Sequence, residues 1–253
     1  MPQKLKKIRA DELLVLNNLC ESRNKAKALI MAGQVRLGTE RILKPSYLLT
    51  EDAELNVTES MKYVGRGGLK MENFLVDSGF KVNGMHIFDI GASTGGFTDC
   101  LLQKGASNAT CIDVGHGQLH YRLRTDNRVH NYEKTNIRNL TPKDIPHSPF
   151  PFITADLSFI SLRKVLPNAW SFLEKGGKIV TLIKPQFECK KEEADLGRGI
   201  IRDQKIHHRV LDEIKDFVET SLEGSSLIIE TKARPQGTDG NQEFFLAWER
   251  LLV

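Results

Sequence analysis

The run Met85-His86-Ile87-Phe88-Asp89-Ile90-Gly91-Ala92-Ser93-Thr94-Gly95-Gly96-Phe97 decides how the chain is organised. Residues up to Ile90 read as an apolar strand, Gly91 opens a tight turn, and residues 95–104 read as a helix. Glycines at a strand-to-helix turn let the backbone approach a bound ligand closely. The turn has neither the G-x-G-x-x-G spacing of a dinucleotide site nor the G-K-[S/T] ending of a phosphate loop.

Outward from that turn the alternation continues: residues 108–115 strand-like, 118–124 helical, 153–158 strand-like, 161–173 helical and 178–185 strand-like. Regular β/α alternation with apolar strands predicts an α/β domain whose parallel sheet is covered on both faces, with ligands at the carboxyl ends of the strands. Asp113 ends the second strand 22 positions after Gly91, where an acid in this fold class accepts hydrogen bonds from ribose hydroxyls. The D-x-G-x-x-x-G-G-F form resembles the S-adenosylmethionine turn of class I methyltransferases. That resemblance implies a cofactor site built from Asp89, Gly91, Ala92, Ser93, Thr94, Gly95, Gly96 and Phe97, with Asp113 and Val114. Gly115 and Gly117 would turn beside the adenosine.

The 253 residues, 40% hydrophobic and 27% charged, suffice for a substantial core. A net charge of +4 gives no whole-molecule argument for nucleic acid, but residues 1–50 hold ten Lys/Arg against four Asp/Glu. There, leucines at 13, 14, 16 and 19 predict one helix, and Ser22 is a plausible N-cap for a second that ends near Gly33. Arg23, Lys25 and Lys27 crowd the start of the second helix against its dipole, which suits either an external phosphate or a solvated face. Residues 34–38 and 47–57 read as short strands. The runs R-A-D-E-L-L from Arg9 and S-R-x-x-A-x-x-L-I-x-A-G-x-V from Ser22 resemble the S4 RNA-binding domain. The resemblance implies an α+β module presenting Arg9, Arg23, Lys25 and Lys27 to structured RNA, and binding without chemistry.

Charges elsewhere point to the reaction. Asp156 and Lys184 each follow apolar strand residues, so a partly desolvated lysine with a carboxylate partner is expected, suited either to proton transfer or to a buried structural ion pair. Glu243 and Lys70 could join the same edge. Two lysines and two carboxylates beside a methyl-donor pocket suit O-methylation of a ribose hydroxyl: Lys184 as base, Lys70 as the positive charge near the alkoxide, Asp156 and Glu243 as their orienting partners.

The segments at 62–70 (K-Y-V-G-R-G-G-L-K), 89–99, 155–162 (A-D-L-S-F-I-S-L), 182–188 (L-I-K-P-Q-F-E) and 240–245 (G-N-Q-E-F-F) together resemble the TlyA family, related to FtsJ-type ribose methyltransferases. The resemblance spans nearly the whole chain. It implies 2'-O-methylation of cytidine in ribosomal RNA, S-adenosylmethionine as cofactor, and a tetrad falling on Lys70, Asp156, Lys184 and Glu243. It also carries the label hemolysin.

The expected organisation is an RNA-binding domain over residues 1–60, a linker and leading helix over 61–83, and a Rossmann-like methyltransferase domain over 84–253. Gly65, Gly67 and Gly68 would form a flexible joint in which Arg66 contacts RNA phosphate. Residues 189–202 are expected to form a mobile loop over the site, ordering with RNA. Ile206, Val210, Ile214 and Phe217 stripe a helix at core spacing. His116 and His120 lie four apart, but without a Glu between them or a third ligand, so no metal is expected. Four separated cysteines, no apolar leader and no long apolar run point to a cytoplasmic protein with rRNA or ribosomal subunits as partner and no stable membrane association. A membrane-acting cytolysin and a catalytically silent ribosome factor are the alternatives.

Overall fold

The computed structural model describes residues 7–58, 62–237 and 239–252 and divides into two compact units, Met1–Met61 and Lys62–Val253.

In the first unit β1 (Lys7–Arg9) leads directly into α1 (Ala10–Leu16), followed by α2 (Arg23–Met31), β2 (Val35–Leu37), β3 (Glu40–Arg41), β4 (Leu48–Thr50) and β5 (Leu55–Val57). Strands β1 and β4 pair, and β3-β2-β5 form a second small sheet. Ser22 caps α2 as expected, its hydroxyl accepting from Lys25 N at 3.3 Å, and Gly33 leaves the helix at φ +68°. Helix α1 stops before Leu19, because Asn18 takes a left-handed turn at φ +55°. Leu13, Leu14, Ala26, Ile30, Val35 and Leu49 close a core of their own between the helices and strands.

The second unit opens with α3 (Gly67–Ser78), then β6 (His86–Ile90), α4 (Gly96–Gln103), β7 (Asn108–Ile112), α5 (Tyr121–Arg124) and β8 (Val129–Tyr132). It continues through β9 (Phe150–Ala155), α6 (Leu166–Ser171), β10 (Leu173–Ile183), α7 (Pro185–Glu188), α8 (Lys191–Leu196), α9 (Gln204–Ser221), β11 (Ser225–Lys232) and β12 (Phe244–Arg250). The seven strands run in the order β11-β12-β10-β9-β6-β7-β8. Alternate residues of β6 enter opposite cores: Ile87 packs with Met71, Phe74, Phe97 and Leu101, and Phe88 with Phe172, Ile179 and Val210. Val210 and Ile214 are buried by α9 as its stripe predicts, with Ile206 and Phe217 packed at the margin.

This is the expected Rossmann-like α/β fold with a small α+β domain before it, but the sheet is not wholly parallel. Strand β12 runs antiparallel to β10, and β11 antiparallel to β12. Apolar strand composition does not reveal direction, and β11, an edge strand with no fully buried residue, carries a weak signal. The chain starts at β6 in the middle, builds β7 and β8 on one side and returns to β9 on the other, so the strand order reverses between β6 and β9. A crevice opens at the carboxyl ends of strands at such a reversal.

The flexible joint expected at Gly65–Gly68 is instead packed within the second unit. A side chain on Gly68 would collide with Tyr63, and one on Gly65 would come within 2.6 Å of Thr94 Oγ1. Asp99 accepts a hydrogen bond from Val64 N at 2.8 Å, fastening this segment to α4. The expected loop at 189–202 contains α8, whose Glu193 is bound by Arg209 at 2.5 Å. Among the described residues, no helix is long and apolar enough to cross a membrane.

Candidate active site

The turn after β6 and the loop after β9 meet at the strand-order reversal. Asp156 N donates to Ile90 O at 3.1 Å, and Gly91, at φ +79°, lies against the Asp156 carbonyl. Asp89 is buried beneath the turn, where Thr98 Oγ1 (2.6 Å) and Thr154 Oγ1 (2.9 Å) donate to its two oxygens. Burial pushes its carboxyl up to about 6, with the hydroxyls opposing the shift and the nearby Asp156 adding to it. Asp113 accepts from Ser93 N (2.8 Å) and Gly115 N (2.7 Å), which ties the ends of β6 and β7 together.

Two cavities adjoin this frame. One of about 510 Å³ is lined by Gly91, Ser93, Asp113 and Val114, together with Gln118 and Asn136. A smaller one of about 160 Å³ lies against Asp89, Ala92, Thr94, Gly96 and Phe97. Gly95 faces neither cavity; at φ +91° its missing side chain makes room for Leu119 and Leu123. A pocket of this size, a glycine turn and a strand-end carboxylate fit a nucleoside-bearing cofactor.

The proposed tetrad lines a third cleft of about 290 Å³. Lys184 Nζ lies 2.5 Å from Asp156 Oδ1 and donates to Ser158 Oγ at 3.1 Å. No donor is aligned for a hydrogen bond to that Asp156 oxygen, so the contact is electrostatic. Lys70, from the second turn of α3, donates to Glu243 at the entry of β12; the two residues are only 8% and 4% exposed. Asp156 lines all three cavities and so stands where they converge.

The segments at 155–162 and 182–188 also carry aromatic residues whose part in the site is not legible in the sequence. Phe159 is 90% exposed, has a left-handed backbone at φ +64°, and packs on Phe187 with ring centroids 5.0 Å apart. Both line the tetrad cleft, and Phe159 also reaches the cofactor-side cavity. Buried Glu188 stitches the two segments together, accepting from Ser161 Oγ (2.6 Å) and Leu162 N (2.7 Å). These are properties of a folded loop, and periodicity carries no trace of them.

His116 and His120 do not converge. His116 Nδ1 lies 3.1 Å from Glu133 Oε2, and His120 caps α5 by accepting from Arg122 N at 3.2 Å. Among the described residues, no group of His, Cys, Asp or Glu is arranged to hold a metal ion. In the first unit Lys25 and Lys27 are exposed, whereas Arg9 and Arg23 both pair with the fully buried Asp11, at 2.9 and 3.3 Å. The Arg9 hydrogen bond, assisted by Arg23, holds the Asp11 carboxyl below its usual range. Arg66 lines the tetrad cleft.

Comparison with known proteins agrees with this division. An FtsJ-like methyltransferase model matches residues 63–250, and an S4 domain model matches residues 8–55. The chain is 38% identical to the 16S/23S rRNA (cytidine-2'-O)-methyltransferase TlyA of Mycobacterium tuberculosis, over 97% of this chain and 90% of the relative. It is 37% identical to Hemolysin A of Brachyspira hyodysenteriae, over 94% of this chain and 98% of the relative. A solved, hemolysin-designated protein from Streptococcus thermophilus superposes with a TM-score of 0.73 at 39% identity, covering 98% of this chain and 90% of the other. Matched along nearly its whole length, in both its S4 and FtsJ-like parts, the chain belongs to the TlyA family.

Proposed function

We propose that the chain transfers a methyl group from S-adenosylmethionine to the ribose 2'-hydroxyl of cytidine in ribosomal RNA. The observation that carries this reading is the position of Asp156, shared by the cavities under the glycine turn and by the cleft that holds both lysines. The names of the relatives supply the substrate class.

The turn at 91–96 and Asp113 would hold the cofactor, with Asp113 accepting from ribose hydroxyls. When bound, S-adenosylmethionine supplies a sulfonium methyl carbon open to in-line attack. Lys184 would stand against the 2'-hydroxyl as the acceptor of its proton, with Asp156 orienting the amine and balancing the ammonium charge. Lys70, held by Glu243, offsets the charge that develops on the oxygen. Phe159, an exposed ring at the mouth of the cleft, offers a face on which a base can stack. In the first unit Lys25 and Lys27 are placed to contact RNA phosphate, and Arg9 and Arg23 share their charge with Asp11.

Mapping ribose methylation on rRNA from cells with and without the protein tests the reading. The expected result is loss of at least one 2'-O-methylcytidine mark when the protein is absent; identical maps would overturn it.

A further inference from the structure

The sequence contains two Gly-Arg-Gly turns, Gly65-Arg66-Gly67 and Gly197-Arg198-Gly199. Both are fastened to the segment between β11 and β12 that walls the tetrad cleft. Arg66 Nη2 donates to Gln236 O at 3.1 Å. The second turn hangs on Asn241, which is 1% exposed: its Nδ2 donates to Gly199 O at 2.8 Å, and its Oδ1 accepts from Ile201 N at 2.9 Å. Asn241 lines the cleft alongside Lys70 and stands two residues before Glu243.

Within that second turn steric space is closed at position 197 and open at 198 and 199, both of which take a left-handed backbone. A Cβ on Gly197 would run into the Ile200 carbonyl, and Gly199 has φ +80°. Arg198 is itself at φ +50°, a backbone conformation that an arginine adopts less readily than glycine. Its side chain is exposed and makes no hydrogen bond or ion pair within the described residues. Of the three acids in α8, Glu193 is bound to Arg209, and the exposed Glu192 and Asp195 form no ion pair with Arg198 among the described residues. An unpaired guanidinium on a turn fixed to the wall of a reaction cleft is placed to grip an anion outside the protein.

We propose that Arg198 binds a backbone phosphate of the RNA whose ribose enters the cleft, and that Asn241 is the positioning residue that registers this turn against the Lys70–Glu243 pair. The inference rests on the methyl-transfer reading above. A guanidinium fork matches two phosphate oxygens, a geometry that lysine cannot reproduce.

The test uses the full chain and purified ribosomal subunits from cells lacking the protein, with labelled S-adenosylmethionine for transfer and filter binding for affinity, across a salt series. For Arg198→Ala, subunit KM and Kd should rise about tenfold with kcat little changed and cofactor affinity intact. The slope of log affinity against log salt should become less negative by about one, as expected for one lost phosphate contact. Arg198→Lys should fall between wild type and alanine. Asn241→Ala should raise KM similarly and add little in the Arg198→Ala background, since both remove the same contact.

Unchanged KM, Kd and salt slope in Arg198→Ala, a substitution at an exposed site, would overturn the proposal while methyl transfer by wild type stood. Wild type that transferred no methyl to either subunit would overturn the reaction instead. Arg198 would then be judged on binding alone: wild-type affinity and slope in Arg198→Ala refute it, and weakened binding supports it.

Discussion

The carbonyl oxygen of Asp156 fills the space that a side chain on Gly91 would need, 2.5 Å from an ideal Cβ position. The two residues end neighbouring parallel strands, β6 and β9, and their contact sets how closely the cofactor turn approaches the tetrad. Gly91→Ala would meet both the carbonyl and a left-handed φ, a cost of about 1–3 kcal/mol from the backbone conformation alone. The expected outcome is a lower melting temperature together with weakened S-adenosylmethionine binding by calorimetry. Full cofactor affinity in this variant would show that the turn does not need its present geometry.

The buried pair Lys70–Glu243 invites a different comparison. Removing one partner strands the other's charge among buried groups, typically at a cost of about 3–5 kcal/mol. Lys70→Met and Glu243→Leu should each lower unfolding free energy in denaturant titrations, and the double variant should regain much of the loss. Methyl transfer should stay low in all three. Activity returning with stability would make the pair purely structural.

Buried Asp89 and half-buried His86 pull the pH dependence of stability in opposite directions. Burial, helped by His147 and His130, lowers His86 to about 4, so the folded protein binds fewer protons than the unfolded chain between that value and about 6.5. This contribution is present above that window and is lost as pH falls through it. Asp89, raised to about 6, makes the folded state bind more protons between about 4 and 6, so its contribution falls as pH rises. Asp89→Asn keeps an acceptor for one threonine hydroxyl and a donor for the other. Unfolding free energy should then rise more steeply with pH between about 4 and 6 than in wild type. An unaltered slope would mean that Asp89 does not titrate there.

In the first unit, Asp11 restrains Arg9 and Arg23, whose charge would otherwise add to that of Lys25 and Lys27. Asp11→Asn should free charge on Arg9 and Arg23, tightening RNA binding at low salt and weakening this unit's thermal stability. Lys25→Glu with Lys27→Glu should weaken RNA binding and leave cofactor affinity alone. RNA affinity that ignored all three changes would remove this face from the binding surface.

The parts of this molecule that are legible in sequence are those where chemistry and chain position coincide. Gly91, Asp113, Asp156, Lys184 and Glu243 stand at or beside strand ends, so an alternating β/α pattern already brings most of them to one edge, whereas Lys70 arrives from α3. Strand direction in β11 and β12 is not legible, because antiparallel pairing depends on the connection and not on apolar content. Glycine misleads at 65–68: the same residue type marks a flexible joint or a close backbone crossing, and only the Tyr63 and Thr94 neighbours distinguish them. Arg23 misleads in the same way, since Asp11, twelve positions earlier, becomes its partner only when α1 and α2 pack. Phe159 and Asn241 acquire their significance from a left-handed backbone and a buried amide, and neither feature has a period.

The central claim is that Lys184 and its three companions act on a hydroxyl beside the cofactor, and labelled methyl transfer to ribosomal subunits by wild type and Lys184→Ala tests it most directly. With S-adenosylmethionine binding verified in both proteins, wild type should place the label on cytidine 2'-oxygens, and the variant should lose at least about a hundredfold in kcat, the contribution typical of a positioned acid–base group. Transfer by the variant at the wild-type rate would contradict the account.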